Sequence, residues 1–163
     1  MGRPGRTDLA IALGFLALAI LFYLPVTLGG RTLLPADIAL RWEPWASALQ
    51  RAGEVPDNSL LGDLYVQNLP WKTLIVESLR EREIPLWNPY ILAGVPFLAA
   101  GQHSALYPLS VIYYVLPLPL AYGWFAAVHL WLAGLFTYVF IRTLRGPAGQ
   151  PLSRTAGVIA GTA

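Results

Sequence analysis

Residues Leu118–Ile141 read LPLAYGWFAAVHLWLAGLFTYVFI, an apolar run without Asp, Glu, Lys or Arg, and Arg142 and Arg145 follow it. At about 1.5 Å of rise per residue a helix of this length crosses the ~30 Å of a hydrocarbon core, so the spacing predicts a full membrane span over 118–142. The uncharged stretch reaches back to Ile84, but as far as residue 119 it is punctuated by Pro85, Pro89, Pro96, Pro108, Pro117 and Pro119. Proline removes a backbone donor and clashes with the preceding turn. Residues 85–104 are therefore expected to be mostly non-helical, lying in the membrane interface or inside a protein cavity, with a short helix over 107–116 leading into the span.

Working toward the N-terminus, Leu9–Leu28 is a second uncharged run of sufficient length, and a first span is placed at 9–29. A cleaved signal peptide is the rival reading. Its apolar core would be shorter, however, and Val26-Thr-Leu-Gly-Gly30 is a poor cleavage site. Working toward the C-terminus, Thr155–Ala163 is apolar but too short to cross. It reads as the start of a third span (154–163) after a cytoplasmic turn (143–153), and the chain as the N-terminal piece of a larger protein. The expected fold is thus an all-α membrane protein with two full transmembrane helices, the start of a third, and a long exterior loop (30–117) carrying interfacial helices.

Composition agrees. Hydrophobic residues make up 56% of the chain and charged ones 12%, about half the ~25% usual in soluble domains. The net charge of +2 is too small to point to nucleic acid, and the absence of cysteine excludes disulfides and thiolate metal sites. Arg3, Arg6, Arg142, Arg145 and Arg154 flank the spans against the single acid Asp8, which places residues 1–8 and the 143–153 turn on the cytoplasmic side and the loop outside.

Within the loop, Asp37 and Asp63 each stand seven residues before a Pro-Trp pair, Pro44-Trp45 and Pro70-Trp71, and each pair opens a helical pattern. Over 70–83 the expected apolar face is Trp71, Leu74, Ile75 and Leu79, with Lys72, Glu77, Arg80 and Glu83 largely elsewhere. Asp37 fits a helix cap. Asp63 is the stronger chemical candidate, because it is read in a Gly62-Asp63 turn followed by Gln67 and Asn68, which are able to orient a carboxylate or a sugar hydroxyl. Trp87, Asn88 and Tyr90 suit either sugar stacking and hydroxyl binding or simple anchoring at headgroup level. Gln102 and His103 follow Gly101 in a loop, and His129 reads as a neutral packing residue inside the second span.

Asn58-Ser-Leu-Leu-Gly-Asp63, Gln67, Pro70-Trp71, Pro85-Leu-Trp-Asn-Pro-Tyr90, Gly94-x-Pro96, Gln102, Tyr107-Pro108, His129-Leu-Trp-Leu-Ala-Gly134, Arg142 and Leu152-Ser-Arg154 together resemble the N-terminal region of bacterial YfhO-like membrane proteins. That family is grouped with the C-type glycosyltransferase fold. The resemblance implies a polyprenyl-phosphate-linked sugar as donor, an envelope glycopolymer as acceptor, the bilayer as partner, and an acidic residue of the first exterior loop at the active site. Asp63, with Asp37 as the weaker candidate, would be that acid, as base or as ligand of a divalent metal. Gln67, Trp87, Asn88, Tyr90, Gln102 and His103 would contact the sugar, and Arg41, Lys72, Arg80 and Arg82 the lipid phosphate. The alternative is a non-enzymatic transporter or envelope-assembly component whose loop binds lipid or glycan.

Overall fold

The computed structural model describes residues 5–48, 58–147 and 149–163. It is mostly helical, with two compact units: residues 1–30 with 123–163, and residues 31–122.

The first unit contains α1 (Arg6–Phe22), α2 (Leu24–Thr27), α7 (Arg154–Thr162) and all but the first turn of α6 (Leu118–Thr143). By length and composition α6 is able to cross a membrane, and little of it is buried. The single helix expected over 9–29 is interrupted: α1 stops at Phe22, Tyr23 leaves the helical region, and α2 restarts with Pro25 in its first turn. Pro25 has no N–H for the carbonyl of Leu21, and its ring crowds that carbonyl, which accounts for the break. Phe15 and Ala19 are the buried side of α1, whereas Leu9, Leu13, Leu21 and Phe22 are exposed.

Close helix approach in this unit depends on glycine. A Cβ on Gly161 would stand 2.6 Å from the Phe15 ring and 2.7 Å from the Gly134 carbonyl oxygen, so α1, α6 and α7 meet where a side chain is missing. At the start of α1 and α7, Arg154 Nε donates to Asp8 Oδ1 at 2.8 Å and Tyr138 OH donates to the same oxygen at 2.7 Å. Trp131 Nε1 donates to the Ala12 carbonyl at 3.0 Å. An exposed ion pair alone contributes little; here one carboxylate ties three helices.

The second unit begins with a 3-10 turn, Ala36–Arg41, whose Ile38, Ala39 and Leu40 are buried, followed by α3 (Trp45–Ala48). The remainder of the first Pro-Trp copy, 49–57, lies outside the described residues. The second copy forms a longer helical run than expected. Gly62 and Asp63 are already α-helical, Leu64–Asn68 is a π turn, and α4 (Leu69–Arg80) continues directly. Pro70 has no N–H to offer one turn back, and the wider turn, closed by Leu69 N donating to Leu64 O, carries the helix past that missing donor.

The buried face of α4 also differs from the expected one. Lys72 and Ile75 are its buried residues, Trp71 and Leu74 are half-buried, and Leu79 is exposed. Following α4, residues 84–97 contain no helix. Trp87–Asn88 (β1) pairs antiparallel with Val95–Pro96 (β2), and a 3-10 turn at Leu98–Ala100 follows. Gly94 closes the hairpin at φ +108°, and a Cβ there would stand 2.4 Å from Trp87 Nε1, so the indole lies directly over the glycine. A 3-10 turn at Pro108–Ser110 then leads into α5 (Val111–Val115).

Candidate functional site

A half-open cleft of about 340 Å³ lies in the second unit, within the volume range of small-ligand pockets. One wall is a single stripe of the Gly62–Arg80 helical run: Asp63, Val66, Gln67, Pro70, Trp71 and Leu74. These positions step by three and four residues, the spacing that puts side chains on one helix face. The opposite wall is the hairpin, through Asn88, Tyr90 and Ile91.

The hairpin presents its residues through a side-chain-capped turn. Asn88 is buried, and its Oδ1 accepts from Tyr90 N at 3.0 Å, an Asx turn that directs the chain out along the cleft edge. That bond occupies the amide oxygen and leaves the amide NH₂ to donate. Across the cleft, Asp63 is exposed, and its carboxylate makes no hydrogen bond to any described residue. Next to it, Asn68 is fixed by the Tyr122 hydroxyl, which donates to its Oδ1 at 2.7 Å; Tyr122 in turn packs edge-on against Tyr113, with ring centroids 5.0 Å apart. The π turn is thus held from behind while its front face lines the cleft.

Four of the expected site residues, Asp63, Gln67, Asn88 and Tyr90, are brought together here. Trp87 is not among the lining residues; its indole covers Gly94. Asp37 lies in the first turn of the 3-10 segment rather than at its cap position, which Pro35 holds, and its side chain is half-buried and engaged. Gln102 is exposed away from the cleft.

His103 and Lys72 are turned inward. The His103 ring is buried and stacked on Phe97 at 4.1 Å; its Nε2 donates to Phe97 O at 2.8 Å and its Nδ1 accepts from Ala105 N at 3.0 Å, a pairing that fits the neutral ring. Lys72 is 1% exposed. Its Nζ donates to His103 O at 2.7 Å and Ser104 Oγ at 2.9 Å and stands 4.6 Å from the centroid of the Tyr113 ring. Burial pulls this ammonium down to about 8 and pushes the Tyr113 hydroxyl up. The ammonium holds the 101–105 turn against α4, and its donors are directed into the unit rather than toward an external phosphate. Arg41, Arg80 and Arg82 are exposed, and none of the three lines the cleft; Arg80 borders a separate depression with Glu77 and Tyr114.

Among the described residues no group of three or more His, Cys, Asp or Glu is placed to hold a metal. Asp63 supplies one carboxylate. That set suits only an ion of the Mg²⁺ type, which keeps most of its water and takes its remaining ligands from a substrate phosphate.

Trp71, Val66, Pro70, Leu74 and Ile91 are cleft residues that the sequence reading did not select. The signal for the first four was present, since they follow Asp63 at helical spacing; reading Gly62-Asp63 as a turn hid it. Comparison with known proteins found no matching family model, no matching curated protein and no matching solved structure.

Proposed function

We propose that the chain belongs to a multi-spanning membrane protein that transfers a sugar from a polyprenyl-phosphate donor to a cell-envelope acceptor at the outer leaflet, with Asp63 as the base. The observation that carries this reading is the convergence of Asp63 and Gln67, from one helix, with Asn88 and Tyr90, from a hairpin more than twenty positions away, around one cleft. A carboxylate, two amides and the aromatic faces of Trp71 and Tyr90 are a hydroxyl-binding set. In the step itself, Asp63 accepts the proton of the acceptor hydroxyl as its oxygen bonds to the anomeric carbon, and the bond from that carbon to the phosphate oxygen breaks, leaving the lipid phosphate. The Asn88 NH₂ and the Gln67 side chain orient the sugar hydroxyls.

The membrane part of the proposal rests on α6, whose apolar surface is largely uncovered, and on α1 with α2, which together are taken as the first span despite the break at Tyr23. The Arg flanks put both termini of this span pair in the cytoplasm. Cysteine substitutions labelled from outside should react at position 57 and stay silent at position 147; the reverse pattern rejects this orientation.

The chemical part is tested by comparing the envelope glycan of cells with and without the protein, then restoring wild type or Asp63→Asn. The amide keeps the shape and removes the basicity, so transfer should fall ~10²- to 10⁴-fold with insertion unchanged. Asp37→Asn should do far less. Among the described residues Asp63 is the one acid lining the cleft, which is also what a binding module without turnover would present. Full glycan restoration by Asp63→Asn would favour that second reading and defeat the first.

A further inference from the structure

Residues 84–97 present large apolar side chains that the described residues leave mostly uncovered: Ile84, Leu86, Trp87, Tyr90 and Leu92 are between 53% and 88% exposed, Leu92 most of all. Leu92 and Ala93, at the tip, are left-handed at φ 49° and 59°. For a bulky residue that conformation is uncommon and costs free energy; such outliers persist where the surrounding structure fixes them, and they cluster at functional sites. Here the strain holds a leucine outward. The unit also segregates its charge: Glu77, Arg80, Glu81, Arg82 and Glu83 cluster at the end of α4 and just beyond it, whereas no charged residue occurs from Ile84 to Ile141.

We propose that the hairpin is a membrane-inserting wedge that seats Leu86, Trp87 and Leu92 at the boundary between lipid headgroups and acyl chains, and so opens the Asp63 cleft toward the headgroup layer. Three observations select lipid as the occupant. A protein-docking surface carries a polar rim and some charge, and this one has no charge along its whole length. Its aromatic residues, Trp87 and Tyr90, are the two types enriched at membrane interfaces. The chain also runs on without a charge into α6, which needs the same non-aqueous cover. Since Tyr90 and Ile91 line the cleft as well as the tip, a ligand would enter from the lipid side with its polar end toward Asp63. That last consequence rests on the proposed function; insertion of the hairpin does not.

The chain has no cysteine, so Leu92→Cys and Leu86→Cys each give a single labelling site at an exposed position, with Glu83→Cys as the control in the charged segment. The full chain is reconstituted in phosphatidylethanolamine and phosphatidylglycerol vesicles and labelled with an environment-sensitive fluorophore. The labels at 92 and 86 should be shielded from aqueous iodide several-fold more than the label at 83, and should be quenched by lipids carrying a nitroxide on the acyl chain. Iodide access at 92 and 86 equal to that at 83 overturns the proposal. So does shielding without nitroxide quenching, which would mean that protein covers the hairpin. Neither readout involves turnover, so loss of the transferase reading would leave this result unchanged.

Discussion

Replacing Lys72 by Met removes an ammonium held inside the second unit, and the effect depends on pH in a direction fixed by burial. The group falls from 10.5 in the unfolded chain to about 8 in the folded one, so the unfolded chain binds more protons between those values and stability rises with pH across that window. Below about 8 the lysine is charged in both states and the full cost of burying it stands; above 10.5 it is neutral in both and that cost is gone. At about 1.4 kcal/mol per pH unit of separation the cost is ~3 kcal/mol, of which about 2 kcal/mol is relieved between roughly pH 7 and pH 9.5. Opposing it are two charge-assisted hydrogen bonds, each contributing ~1.5–3 kcal/mol, and the Tyr113 ring face. Lys72→Met loses these contacts and the burial cost together, so at neutral pH it should be about 0–3 kcal/mol less stable than wild type. Its more diagnostic property is the missing slope. Urea titration in detergent micelles, read by tryptophan fluorescence at several pH values up to about 9.5, should show wild-type stability climbing by about 2 kcal/mol and the variant flat. The scan stops there because Tyr113, raised by burial, adds a slope of opposite sign above its ordinary value near 10. A flat or falling wild-type curve, or a variant that keeps the rise, would refute the reasoning.

Gly94→Ala should cost ~2 kcal/mol or more, because φ +108° disfavours a side chain and the new methyl overlaps the Trp87 indole; faster amide exchange confined to 86–97 is the expected signature, and unchanged exchange would contradict it. Tyr122→Phe removes the hydroxyl donated to Asn68 and should cost ~1 kcal/mol, with the amides of 64–69 exchanging faster. If the π turn keeps its wild-type protection, that bond does not hold it.

The sequence by itself determined the elements whose cause is local. Apolar composition gives α6 and the prolines forbid regular helix through 85–96, because each is a property of a few consecutive residues; that the segment pairs as a hairpin was not read from them. Pro25 already contained the break in the first apolar helix, yet length and hydropathy alone carried that helix through to residue 29; the ring's clash with the carbonyl four residues back decided otherwise. Asp63 was legible as a candidate, and so were Gln67, Asn88 and Tyr90, since carboxylate, amide and aromatic chemistry is written in residue type. Their meeting in one cleft was not. It needed the helix to run unbroken from Gly62 through a π turn and Asn88 to hold the hairpin edge with its own side chain. The direction of Lys72 was also a tertiary decision. Periodicity assigned a lysine to the wet face of α4, but the carbonyl of His103, the hydroxyl of Ser104 and the ring of Tyr113, all more than thirty residues further on, together offer its ammonium a substitute for water, and only the folded chain brings those three to one point.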